Sequence, residues 1–296
     1  MDGAGNHVGK DGAGDAFLPC GSTAPHSPGS GLPTELEISG AAFDRLPCPV
    51  REKVFICSTP RTGSYLLCRA MIHGGIGIPH EYFHWLHAGI IGPRLGIHAL
   101  RDGAALQTDG AARRHYIAAT LRHRTVHGIF AAKIQWWEHA RFLANAEGTA
   151  LFQGGRFIYL YREGLLDQAI SCHVSTQTGR WGFDDTVTTS PPARPRFLDD
   201  QLIRGHIESI ARDDMNWRVF FARNGISPLM ISYERLRDDP GGTVRAIGEA
   251  FSLCLPVSGF DYEERAPHEF HDPTVPAKSE IRAQFLRMTQ RVTPAS

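Results

Sequence analysis

Residues 55–67, Phe-Ile-Cys-Ser-Thr-Pro-Arg-Thr-Gly-Ser-Tyr-Leu-Leu, hold the densest chemistry of this chain. An apolar run enters a turn with Arg61, Thr62, Gly63 and Ser64 and leaves it as an apolar helix. Gly63 permits a tight turn, and free N–H groups at the helix start point at whatever the turn holds. Arg61 adds a planar, permanent cation suited to phosphate or sulfate oxygens. The Gly-Lys-Ser/Thr ending of an ATP-binding loop is missing, so this is an anion loop without an ATP–magnesium signature. A strand–helix turn with a surface arginine is the plain alternative.

A second strand end, Tyr161-Arg162-Glu163-Gly164, precedes a helix that carries Ser171. Arg162 and Ser171 could hold a second anion, and two such sites on neighbouring strand ends suit a ligand with two separated phosphates. Alternatively, Arg162 pairs locally with Glu163 or Asp167. Pro79-His80-Glu81-Tyr82-Phe83-His84 offers Glu81 as a general base. The same letters spell H-E-x-x-H; on a helix His80 and His84 would bind zinc, with Glu81 activating water. Lys133, in Lys-Ile-Gln-Trp-Trp, could touch the transferred group, and Trp136 or its neighbour could stack on a sugar. Trp181 could line a nucleotide or acceptor pocket. Lys278 and Arg282, near the start of the last helix, could close over a phosphate or simply be solvated.

Strands are expected at 54–58, 128–135, 156–161 and 228–232. Helices are expected at 64–73, 111–127, 164–178, 197–224, 243–251 and 279–289. This alternation predicts an α/β fold, a parallel sheet flanked by helices on both faces. Ligands of such sheets sit at the carboxyl ends of strands. Residues 1–50 read as a flexible arm, with eight glycines in the first 31 residues, and 51–296 as a single domain. Lysine plus arginine and aspartate plus glutamate both number 31, which argues against a nucleic-acid binder. Neutrality leaves a homodimer open. No apolar run is long enough for a transmembrane segment, and no signal peptide is visible, so a cytoplasmic protein is expected. The six scattered cysteines read as reduced thiols.

Together these pieces resemble the sulfotransferases that use 3′-phosphoadenosine 5′-phosphosulfate (PAPS), and more narrowly the bacterial family typified by trehalose 2-sulfotransferase. The matching stretches are 58–67, 77–83 (GIPHEYF), 132–137 (AKIQWW), 161–171 (YREGLLDQAIS), 177–181 (QTGRW) and 232–240 (SYERLRDDP). The resemblance implies a P-loop-like fold and sulfuryl transfer from PAPS, without a metal, to a hydroxyl of a sugar or other small-molecule or lipid-linked alcohol. It implies that Arg61, Thr62, Gly63 and Ser64 bind the 5′-phosphosulfate, that Arg162 and Ser171 bind the 3′-phosphate, and that Glu81 is the catalytic base beside Arg61. Tyr65 departs from the family, which carries a second small hydroxyl there. A zinc hydrolase and a non-catalytic nucleotide-binding module are the competing readings.

Overall fold

The computed structural model describes residues 33–101, 103–179, 181, 199–253 and 275–290. Five strands, β1 (Glu52–Ser58), β2 (Thr125–Val126), β3 (Ile129–Gln135), β4 (Arg156–Tyr161) and β5 (Leu229–Ser232), form one sheet in the order β2-β3-β1-β4-β5. β3, β1, β4 and β5 are parallel; the apolar centres of β1, β3 and β4 reflect burial on both faces, whereas the edge strand β5 leaves Met230 exposed. Val54, Ile56, Ile158 and Leu160 pack on one face against the helices Ser64–His73 and Pro240–Ala250. Phe55, Cys57, Phe157 and Tyr159 pack on the other, largely against Trp217 and Phe221 of the 24-residue helix Asp200–Arg223.

The sheet is not wholly parallel. The helix expected to reach residue 127 ends at His123, and β2 pairs antiparallel with β3. His127 (φ 52°) and Gly128 (φ 80°) form the two-residue link, both left-handed as such a hairpin requires. Periodicity alone does not reveal so short an edge strand.

Folding also begins before residue 51. Thr34 and Glu37 cap the short helix Glu35–Ser39 reciprocally. Ile38 and Phe43 are buried against Ile72, Ile78 and Val126. Asp44 binds Arg94 at 2.6 Å and the buried Arg124 at 2.7 Å. Residues 34–45 are therefore packed rather than an arm, held by the buried Ile38 and Phe43 and by the Asp44 ion pairs, although Leu36 stays exposed. Residues 1–32 lie outside the described part. Cys57, Cys68 and Cys172 are free and buried, whereas Cys48 is disulfide-bonded, against the expectation of uniformly reduced thiols. No helix among the described residues is long and apolar enough to cross a membrane.

The strand order decides where a ligand can sit. β1 leads to β3 on one side, and β4 leads to β5 on the other. The connections diverge between the adjacent carboxyl ends of β1 and β4, which opens a crevice there. Ser58 pairs with Gln135 and Leu160 in register, so the turns that follow all emerge at one edge of the sheet.

Candidate functional site

The loop after β1 is held from several sides. Thr62 Oγ1 donates to the Thr59 carbonyl at 3.0 Å. Gln168 Nε2, from the helix after β4, donates to Thr59 Oγ1 at 2.8 Å and to the Pro60 carbonyl at 2.6 Å. The buried indole of Trp217 donates to the Ser58 carbonyl at 2.9 Å. Arg61 (φ 66°) and Gly63 (φ 75°) both take left-handed conformations, which fold the loop back over the helix start. Gly63 supplies no side-chain cap, so the first-turn N–H groups of helix Ser64–His73 stay available to an anion. Ser64 and Gly63 line the cavity, while the Thr62 side chain is buried and braces the loop instead.

The two expected anion grips meet. Arg61 Nε donates to Ser171 Oγ at 3.0 Å, and its Nη1 donates to the Trp181 carbonyl. Arg162 Nη1 approaches the Arg61 carbonyl at 3.4 Å. Its guanidinium carbon lies 4.5 Å from the centre of the Tyr233 ring. Arg162 Nε is buried with no hydrogen-bond partner among the described residues, a donor that an anion would satisfy. Tyr233 also covers Gly63: a Cβ there would lie 2.6 Å from Tyr233 Cδ2. Its ring thus joins the two grips. Arg162 makes neither of the expected local ion pairs, because Asp167 binds Arg282 at 2.9 Å.

On the β3 side, the stretch 77–80 runs beside that strand, and the Lys133 N–H donates to the His80 carbonyl at 3.0 Å. Gly77 makes the approach possible, since a Cβ would meet Ala131 Cβ at 2.9 Å. Glu81 thereby reaches Lys133, with Oε1 3.1 Å from Nζ. Lys133 is also 3.2 Å from Glu35 Oε1. Burial pushes Glu81 upward, but Lys133, with His87 and His84 nearby, holds it below its ordinary value. Burial lowers Lys133, and the two carboxylates more than reverse that, leaving it raised and charged.

The H-E-x-x-H letters do not form a helix. Residues 80 and 81 carry no regular secondary structure, 82–84 form a turn, and His84 caps the helix Trp85–Arg94 by accepting from the Leu86 N–H. The buried His80 bonds Ser39 Oγ through Nε2 at 2.8 Å. The helical face that the zinc reading requires is therefore not present in this stretch.

Trp136 does not line the cavity. Its ring packs on Trp217 at 5.2 Å and on His139 at 4.8 Å, and Trp137 is the one that lines the cavity. Trp181 is half-exposed at the rim, and Lys278 and Arg282 stand on the same rim. The cavity encloses about 920 Å³ and brings Arg61, Ser64, Glu81, Lys133, Arg162 and Ser171 to one space. Glu35 and Tyr233 line it without having been foreseen, and Gln168 braces the loop beside it. Gln168 sits inside the 161–171 motif and was open to notice; Glu35 lies in the stretch read as an arm.

Comparison with known proteins identifies the family. Residues 53–256 match the family model of the Stf0 sulphotransferases. Over 210 residues the chain is 27% identical to the trehalose 2-sulfotransferase of Mycobacterium tuberculosis (strain ATCC 35801 / TMC 107 / Erdman), covering 60% of this chain and 76% of that protein. A solved sulfotransferase domain from the Synechococcus PCC 7002 olefin synthase aligns over 85% of this chain and 90% of its own, at 18% identity and a TM-score of 0.35. With more than half its length matched by the family model, the chain belongs to the Stf0 sulphotransferase family.

Proposed function

We propose that the protein transfers a sulfuryl group from PAPS to a hydroxyl, with Glu81 as the base. One observation carries this reading: Arg61, Ser171 and Arg162 form a single cationic and hydroxyl-bearing corner that opens into the same cavity as the Glu81–Lys133 pair. Arg162 and Ser171 would hold the 3′-phosphate, which distinguishes PAPS from ATP. Arg61 and the N–H groups of residues 62–64 would hold the 5′ end. PAPS, when bound, supplies an activated sulfuryl group.

The remaining work falls to the chain. Arg61 and the helix start offset negative charge where it grows on a departing oxygen. Glu81, kept ionised by Lys133, accepts the proton of the acceptor hydroxyl at a carboxylate oxygen. Gln168, Thr62 and Trp217 keep the loop in place, so little reorganisation is needed at the moment of reaction. The name of the mycobacterial relative makes a sugar hydroxyl the first acceptor to try.

Two measurements test the reading. Calorimetric titration compares 3′-phosphoadenosine 5′-phosphate (PAP) with ATP; tighter PAP binding that is lost in Arg162→Ala supports it, and equal affinities overturn it. ³⁵S-labelled PAPS offered with mono- and disaccharides, trehalose among them, and with glycolipids reads transfer directly. PAP binding without Glu81-dependent transfer would instead favour the non-catalytic module.

A further inference from the structure

The helix Glu35–Ser39 lies outside the stretch that matches the family model, yet it reaches the candidate base from two directions. Ser39 Oγ is 2.8 Å from His80 Nε2 and 2.8 Å from His87 Nδ1, so one hydroxyl clips this helix to residues on both sides of Glu81. One turn earlier, Glu35 lies 3.2 Å from Lys133, whose other partner is Glu81 at 3.1 Å. A single buried ammonium thus stands between two carboxylates brought from distant parts of the sequence.

We propose that Glu35 is a positioning residue for the base: by sharing Lys133 with Glu81, it limits how tightly that ammonium holds the Glu81 carboxylate. The proposal rests on Glu81 being the base. An ammonium with only one carboxylate partner would spend its whole field on it, leaving a well-paired but poorly basic group. A second carboxylate competes for the N–H donors and adds negative charge nearby. Both effects make Glu81 a better proton acceptor, and Lys133 stays charged throughout.

The other groups around the pair do not supply this balance. His80 and His87 are buried, held neutral by their surroundings and tied to Ser39. His84 is likewise lowered by burial. Among the described residues Cys68, Glu138 and Arg124 also stand nearby: burial raises Cys68 and Glu138, Glu138 accepts from the Gln135 N–H, and Arg124 is taken up by Asp44. Tyr65, whose ring lies 5.6 Å from Lys133 Nζ, directs its hydroxyl to the Pro33 carbonyl and so helps seat the same helix.

The test reads Glu81 directly and needs no acceptor. Carbon-13 carboxyl signals of labelled glutamates are followed against pH, with the Glu81 signal assigned by its loss in Glu81→Gln. Glu35→Gln is expected to lower the Glu81 midpoint by roughly one pH unit, and Glu35→Asp to restore part of that shift. A purely structural helix would lower the melting temperature and leave the midpoint in place. An unmoved midpoint in folded Glu35→Gln overturns the proposal; should that variant not fold, Glu35→Asp decides by the same reading. Turnover of Glu81→Gln separates the two ideas. Wild-type transfer by that variant removes the base reading itself, whereas an inactive Glu81→Gln with an unmoved midpoint in Glu35→Gln removes only the role of Glu35.

Discussion

Arg61 Nε donates to Ser171 Oγ at 3.0 Å, which ties the turn after β1 to the helix after β4 across 110 residues of chain. The bond pre-sets the spacing between two anion grips that the sequence presents as separate motifs. It also occupies an Arg61 donor, so an incoming anion meets a side chain already in place.

Removing a grip should therefore weaken donor binding selectively. Arg162→Ala is expected to cost PAP affinity about 1.5–3 kcal/mol, the range for hydrogen bonds to charged groups, and to leave ATP affinity nearly unchanged. Calorimetry on both nucleotides checks this. Ser171→Ala should cost less, because it removes one neutral hydroxyl while both guanidinium groups remain.

Gly63→Ala tests the packing of the loop. The position has φ 75°, and the new methyl would meet the Tyr233 ring. A destabilisation of about 1–3 kcal/mol is expected, together with a loss of PAP affinity because Tyr233 must leave Arg162. Thermal melts and PAP titration should move together, and Tyr233→Ala in the same background should recover stability more than binding.

The two tryptophans after β3 should behave differently. Trp136→Ala removes a ring packed on Trp217 and should cost about 2–4 kcal/mol of stability. Trp137→Ala should leave the melting temperature closer to wild type and raise KM for the acceptor, since Trp137 faces the cavity.

Glu81→Gln should reduce transfer by about 10²–10⁴-fold with PAP affinity preserved. His84→Ala should have only a modest effect on transfer, whereas a zinc hydrolase would lose its activity. Because Glu81 is held below its ordinary value, the base remains ionised through the neutral range. Its pairing stabilises the fold above the unfolded carboxylate value of about 4.3 and is lost as pH falls through the depressed folded value. A pH–rate profile should accordingly show no Glu81 limb near neutrality.

Acid sensitivity should appear earlier, through histidines. Burial lowers His87 and His139 to about 4 from the ordinary 6.5. Between those values the unfolded chain binds more protons than the folded one, so stability falls as pH drops from about 6.5 toward 4. Melting temperatures across that window check the sign, and His139→Phe should flatten the slope.

Much of this was legible beforehand. The four parallel strands are apolar and bounded by Gly, Pro and polar turns, and local sequence dictates them. Arg61, Ser64, Arg162 and Ser171, which the structure brings to one cavity, could be singled out because each stands just past a strand or in the helix after it. What escaped depends on contacts distant in sequence. The cavity-facing choice between Trp136 and Trp137 is set by the helix 200–223 through Trp217. Glu35 is decided by a helix of five residues whose burial rests on Ile38 alone among its large apolar side chains. Tyr233 stands in the 232–240 stretch, whose letters give no hint that Arg162 lies over its ring. The H-E-x-x-H letters do not form a helix: Pro79 precedes them, and the His80 carbonyl is taken by the Lys133 N–H of the neighbouring strand.

The divergence of connections between β1 and β4 has a thermodynamic corollary. Neither half of the sheet owns a complete nucleotide cradle, so a bisphosphorylated adenosine should bind only where both halves have docked. Such a ligand acts as a latch on the whole fold: at a hundredfold excess over its Kd, it should add about 2.7 kcal/mol to global stability.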